Sequence, residues 1–367
     1  MRFIWFSKLT LMTILAMTLP VFAGGHERQL TEFDAPGAGT AGGQGTFVIY
    51  INNVGEIVGF YVDGSNTDHG FIRAPEGWFT SFDAPGAVAT FAILTNDDGL
   101  VTGYFLDAST VFHGFLRAPD GKIATVDIPG AGTAAGQGTF EFGINQDGAT
   151  AAYFIDTNNV SHSYLRSRDG RITTYDVPGA GTGPGQGTIG LSINDRGEIT
   201  GAYVDGSSVN HGFLRSRDGR ITTFDGPGAG TGPGQGTAPT PGGALNSEGA
   251  ITGSVIDGKG VNHGFLRAPD GCIITFEAPG AGTGAGQGTI PEQINARGQI
   301  TGQYLDGNGV NHAFLRAPDG SFITYEAPGA GTGAGQGTIA DSINEEGASD
   351  GFFIDASGVM RGYLRRE

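Results

Sequence analysis

Six aspartate–histidine pairs recur along the chain, each with the same six-residue offset: Asp63 and His69, Asp107 and His113, Asp156 and His162, Asp205 and His211, Asp257 and His263, Asp306 and His312. An imidazole beside a carboxylate is the usual material of general acid–base catalysis. A catalytic group is placed once, however, and one that returns in every repeat reads as a structural polar pair. The sharper acid–base candidates are Glu292 and Asp341, which occupy a position held elsewhere by Ile49, Ile93, Phe142 and Leu191. Two buried neighbouring carboxylates repel each other and lose solvation, so at least one pKa should rise. Alternatively, Pro291 shifts the strands there and both acids face a water-filled channel.

A long loop, Pro-Gly-Ala-Gly-Thr-x-x-Gly-Gln-Gly, carries the other candidate ligand groups: Gln44, Gln137, Gln186, Gln235, Gln287 and Gln336. No cofactor is expected. The one alternative is Ca²⁺, because Asp-Gly-Asn-Gly309 and its relatives offer oxygen ligands. Single histidines, one per repeat, do not make a zinc site. Gly37-Ala-Gly-Thr-Ala-Gly42 has the letters of a dinucleotide loop, but a strand follows it where a helix is required. No Gly-Lys-Ser/Thr phosphate loop and no G-x-S-x-G elbow is present.

These residues sit in a repeat. The acid two positions before each Pro-Gly falls at Asp34, Asp83, Asp127, Asp176, Asp225, Glu277 and Glu326, at separations of 49, 44, 49, 49, 52 and 49 residues. Turn chemistry cuts one unit into four segments: Thr188–Ile193, Glu198–Asp205, His211–Arg215 and Arg220–Asp225. Asn194–Gly197 and Ser216–Gly219 are the tight turns, and the segments are rich in β-branched and aromatic residues. No 3.6-residue periodicity competes.

Four short antiparallel strands in about 49 residues match a propeller blade. The chain begins at Leu30–Asp34 with a fourth strand and ends at Gly362–Arg365 with a third. The expected fold is therefore an all-β, seven-bladed β-propeller of four-stranded blades, closed by the N-terminal strand completing the C-terminal blade. Closure of that kind buries two open edges. Alternating strand direction gathers the glycine loops, the Asp–His pairs and the strand-four acids at one end, and only tight turns at the other. Binding is expected at the glycine-loop end.

The Ile-Asn-x-x-Gly turn, Ile-Thr-Gly, Tyr-x-Asp-Gly and His-Gly/Ala-Phe-Leu segments resemble the secreted bacterial repeat proteins named for their His-Ala-Phe motif. The tripeptide itself stands at His312-Ala313-Phe314, with His-Gly-Phe at His69, His113, His211 and His263. Repeat three departs from it at His162-Ser-Tyr, and repeat seven has Arg361. The resemblance spans the mature chain and implies an exported repeat protein, with no established reaction.

Residues 1–23 read as a signal peptide cleaved near Ala23, since Arg2 and Lys8 precede the apolar run Leu9–Leu19. Residues 24–29 form a short leader, and 30–367 a single domain. The expected location is secreted or periplasmic, with no membrane span and a monomeric state. Acids outnumber Lys and Arg 37 to 20, and losing the two leader cations takes the formal charge of −17 two units lower. Such a surface repels nucleic acid and anionic membranes. Cys272, alone in the chain, has no disulfide partner.

Asymmetry between repeats is where a single site would lie. Repeat two has Val88-Ala89 where its neighbours have the glycine loop. Repeat five carries three extra residues within Ala238–Gly243, with two prolines that imply a bulge. The expected function is an exported, non-enzymatic binding module for a glycan or cell-surface polymer. The alternative is an extracellular polysaccharide hydrolase or lyase using the channel carboxylates.

Overall fold

A computed structural model describes residues 29–366. The expected signal peptide and residues 24–28 of the leader lie outside the described residues. Gln29, assigned above to the leader, already belongs to the first strand, β1 (Gln29–Phe33).

Among the described residues all 28 regular elements are strands. They run in antiparallel groups of four, beginning with β2 (Gly45–Ile51), β3 (Ile57–Val62), β4 (Asp68–Arg73) and β5 (Phe79–Phe82). The first strands of the following groups are β6 (Ala89–Thr95), β10 (Gly138–Ile144), β14 (Gly187–Ile193), β18 (Gly236–Pro239), β22 (Gly288–Ile294) and β26 (Gly337–Ile343). The last group has β27 (Ser349–Ile354) and β28 (Met360–Arg366) as its second and third strands, and among the described residues no fourth strand comes after them. β1 takes that place, antiparallel to β28, with Leu30 opposite Arg365 and Phe33 opposite Gly362.

Packing within each group rests on one large ring from its third strand. Phe71, Phe115, Tyr164, Phe213, Phe265, Phe314 and Tyr363 are all fully buried. Five of these are the phenylalanine of the His-Gly/Ala-Phe tripeptide, so the motif reads as core plus a polar rim. Truncating such a ring to alanine costs about 3–5 kcal/mol.

Neighbouring groups are stitched in three ways. Gly45, which opens β2 at φ +124°, bridges Met360 of the last group; a Cβ there would lie 2.0 Å from the Met360 carbonyl oxygen. Only glycine tolerates both that angle and that approach. Arginines ending the third strands lie over aromatic rings of the preceding group: Arg73 over Phe33 at 4.6 Å, Arg117 over Phe82 at 4.9 Å and Arg316 over Phe276 at 4.7 Å. The first of these ties the opening group to the N-terminal strand.

The third stitch is a circuit of turn asparagines. Asn52 donates its side-chain amide to the Asn96 carbonyl, Asn96 to Asn145, Asn145 to Asn194, Asn194 to Asn246, Asn246 to Asn295, and Asn295 to Asn344. Asn344 returns the chain of bonds to Asn52. Each asparagine also caps its own turn; Asn194 Oδ1, for instance, accepts from the Glu198 amide at 3.0 Å.

Candidate functional site

The six histidines from His69 to His312 sit at the glycine-loop end, each between two acids. Nδ1 lies 2.8–2.9 Å from the acid that closes strand four: Asp83, Asp127, Asp176 and Asp225. His263 and His312 meet Glu277 and Glu326 in the same way. The expected partners, from Asp63 through Asp306, face Nε2 at a looser 3.4–3.6 Å. Their Oδ1 atoms instead hold the following loop, as Asp205 does by accepting from the Ser207 and Val209 amides. Five of these imidazoles also stack on strand-two rings, His211 on Tyr203 at 4.8 Å, while His263 faces Val255. In the last group Arg361 fills the histidine's place and bridges Asp34 at 2.7 Å and Asp355 at 3.2 Å.

The loop glutamines turn back into their own loops. Oε1 of Gln186 accepts from the Gly183 amide at 2.8 Å, and the same bond recurs at Gln44, Gln137, Gln235, Gln287 and Gln336. Four of their amide groups donate onward to the neighbouring loop, as Gln287 does to the Gly307 carbonyl. Much of the glutamines' hydrogen-bonding capacity thus holds the rim in shape.

Glu292 and Asp341 are placed by a bulge common to the first strands, not by a shift that Pro291 causes. The register slips between Val48 and Tyr50, Ala92 and Leu94, Gly190 and Ser192, Pro291 and Gln293, and Ala340 and Ser342. The skipped residue leaves the ladder, and a bulge re-aims its side chain. In this way Ile49, Ile93, Glu292 and Asp341 come to line one central cavity of about 250 Å³.

Repeat five makes the floor of that cavity. β18 stops at Pro239, and Thr240–Gly243 cross the channel instead of continuing the strand. The Gly242 amide reaches the Leu191 carbonyl at 3.3 Å, the Gly243 carbonyl accepts from Ile294, and Thr240 Oγ1 donates to the Glu292 carbonyl at 2.8 Å. The prolines thus redirect the backbone further than a simple bulge would. A second cavity of about 110 Å³, walled by the turn asparagines, shares Gly242 and Gly243 from below.

Above this floor the two walls differ. Phe60, Tyr104 and Phe142 stand on one side, Glu292 and Asp341 on the other. Tyr104 packs against Phe142 at 5.7 Å and joins Phe60 through Phe91. Gln303, from the strand beside β22, gives its Nε2 to Glu292 Oε1 at 3.1 Å.

Electrostatics on the acidic side are unusual. Burial pushes the Glu292 carboxyl up to about 7, against the Gln303 hydrogen bond. Asp341 is held well above the ordinary carboxylate range, first by burial and then by the charges of Glu292 and Asp350. Asp350 is fully buried behind them and pushed up to about 7 by burial; Ser342 Oγ donates to it at 2.6 Å. Such a cluster can exchange protons near neutrality and attract positive charge. Among the described residues no group of three or more His, Cys, Asp and Glu side chains is placed to hold a metal.

Sequence reasoning missed Phe60, Tyr104, Asp350 and the floor. Phe60, Tyr104, Tyr153 and Phe352 correspond to Ala202, Ser254 and Gln303 in the remaining repeats. Aligned copy against copy, that position divides the ring into four aromatic members and three small or polar ones. Asp350 replaces the threonine found at Thr102, Thr200, Thr252 and Thr301.

No protein-family model matches the chain, and no curated protein matches it in sequence. Solved structures share its fold. The BP39L lectin of Burkholderia pseudomallei superimposes with a TM-score of 0.54 at 12% identity, over 86% of this chain and 93% of the lectin. A puromycin hydrolase superimposes with a TM-score of 0.50 at 14% identity, over 86% of this chain; the match spans about half (52%) of the hydrolase. At such identities the likeness concerns the fold alone.

Proposed function

We propose that this chain is a seven-bladed β-propeller, exported and non-enzymatic, that binds a carbohydrate in the cavity on the glycine-loop side of its channel. The observation that carries the reading is the cavity itself, with aromatic faces on one wall and hydrogen-bonding groups on the other. A pyranose ring has both surfaces: an apolar face of C–H bonds and a rim of hydroxyls. Aromatic side chains supply contact area at low entropy cost, and a few placed polar groups fix orientation. The closed asparagine circuit supports seven blades, and a lectin among the fold's neighbours is compatible with the binding role.

An array of glycans probed with the protein and with a Phe142→Ala variant tests this. Binding to at least one glycan, lost or weakened about tenfold or more in the variant, is expected for a stacking residue. Absence of binding, or binding indifferent to Phe142, rejects the cavity as a carbohydrate site.

A second reading draws on one observation, the raised Glu292 carboxyl beside Asp341. A carboxylic acid that keeps its proton near neutrality beside a second carboxyl group is part of the equipment of glycoside hydrolysis. Release of reducing ends from a bound polysaccharide, abolished by Glu292→Gln, would favour a hydrolase over a binding module.

A further inference from the structure

We propose that the sugar held in this cavity carries a free primary amine, its ammonium meeting Glu292 and Asp341 while the ring lies against Phe60, Tyr104 and Phe142. The inference rests on the carbohydrate reading and narrows it to one class of ligand.

Charge balance is the first argument. The cavity wall carries two carboxyl groups and no lysine, arginine or histidine. Within the described residues Asp341 makes no hydrogen bond, and its Oδ2 is shut off from solvent without a partner. A buried carboxylate lacking a counter-charge is costly, and a cation brought by the ligand removes that cost.

Hydrogen-bond polarity is the second. Two donors beside Glu292 are already engaged: Gln303 Nε2 with its carboxylate, and Thr240 Oγ1 with its carbonyl. Two acceptors beside them have no partner, Asp341 Oδ2 and Gln303 Oε1. An ammonium offers three donors and no acceptor, which suits a wall with unpartnered oxygens. An anionic sugar would meet repulsion from both acids.

The aromatic wall points the same way. Phe60, Tyr104 and Phe142 are half-buried and keep surface toward the cavity. Negative ring faces attract a cation, more strongly where water is displaced. A small cavity with aromatic faces opposite carboxylates is thus suited to an amine on an apolar body. Neutral hexoses satisfy the stacking but leave the acids unmatched.

Calorimetric titration with glucosamine oligomers, N-acetylglucosamine oligomers and glucose oligomers of equal length separates the possibilities. The free-amine oligomer should bind about tenfold or more tightly than the other two, with the advantage shrinking as salt rises. Replacing both Glu292→Gln and Asp341→Asn keeps size and removes charge; it should bring the three affinities together. Equal or tighter binding of the acetylated or neutral oligomer by the parent protein overturns the amine assignment and leaves the carbohydrate reading standing. A preference that survives the double substitution overturns the assigned role of these two acids. If none of the three sugars binds, the carbohydrate reading falls and the inference falls with it.

Discussion

Asn344 donates its side-chain amide to the backbone carbonyl of Asn52 at 3.3 Å, 292 positions earlier in the chain. The bond completes a circuit through equivalent asparagines, all donating in one direction. Both residues are about 95% or more buried, so neither end has water as an alternative partner. Loss of a buried partner costs about 1–3 kcal/mol. Asn344→Ala should therefore lower stability by that amount in urea denaturation, and Asn145→Ala by a similar amount. A neutral result at both positions would reduce the circuit to a geometric coincidence.

Arg361 and Asp34 hold the same closure at the other end. The guanidinium spans Asp34 on β1 and Asp355 on the last group, and Gly45 docks against Met360 alongside. Removing residues 29–33 uncovers a whole edge of β28 and the stacking face of Arg73. Truncation should cost several kcal/mol and promote self-association through that edge. An unchanged melting temperature would contradict the closure.

Raised carboxyl pKa values make stability depend on pH in a stated sense. Glu292 moves from an ordinary 4.5 to about 7, and Asp350 from 3.8 to about 7. The folded state holds these protons more tightly than the unfolded chain, so the contribution is present in full below about pH 4. It is lost as pH rises through about 7. Glu141, buried in β10 without a partner, pulls in the same direction. Asp350→Asn should leave stability near pH 4 little changed and raise it at pH 8 by on the order of 2–3 kcal/mol. Equal stabilisation at both pH values would assign the effect to packing instead.

Gly242 tests the floor. Its φ is +82°, and a Cβ would meet Leu94 Cδ1 at 3.0 Å. Gly242→Ala should cost about 1–2 kcal/mol through backbone strain. Its larger effect should be on ligand affinity, because the Thr240–Gly243 segment that shapes the cavity must shift. A variant that binds as the parent does would remove the floor from the site.

The repeats made much of this architecture legible. Period, turn chemistry and the out-of-phase ends led from the sequence to four-stranded groups and to β1 lying beside β28. The His–acid pairs were visible as well, but Asp225, 14 residues beyond His211, is nearer than Asp205. Two antiparallel strands bring it there, and linear distance conceals it. Glu292 and Asp341 stood out because they broke a hydrophobic column. Phe60 and Tyr104 did not, since aromatic residues are ordinary in strands. The path of Thr240–Gly243 across the channel was not readable: two prolines announce that a strand stops, not where the chain goes next.

The pairing of Gln29 with Arg366 fixes an orientation. β1 runs toward the glycine loops, so its first residue and the last residue of β28 emerge together beside the short turns. The cavity lies on the other side of the floor. A tether joined directly ahead of Gln29 or after Arg366, whether a longer chain, a lipid or an engineered linker, leaves from the back of the molecule. It presents the cavity mouth outward, and immobilising the protein through either of these two positions for a binding measurement keeps that mouth clear of the support.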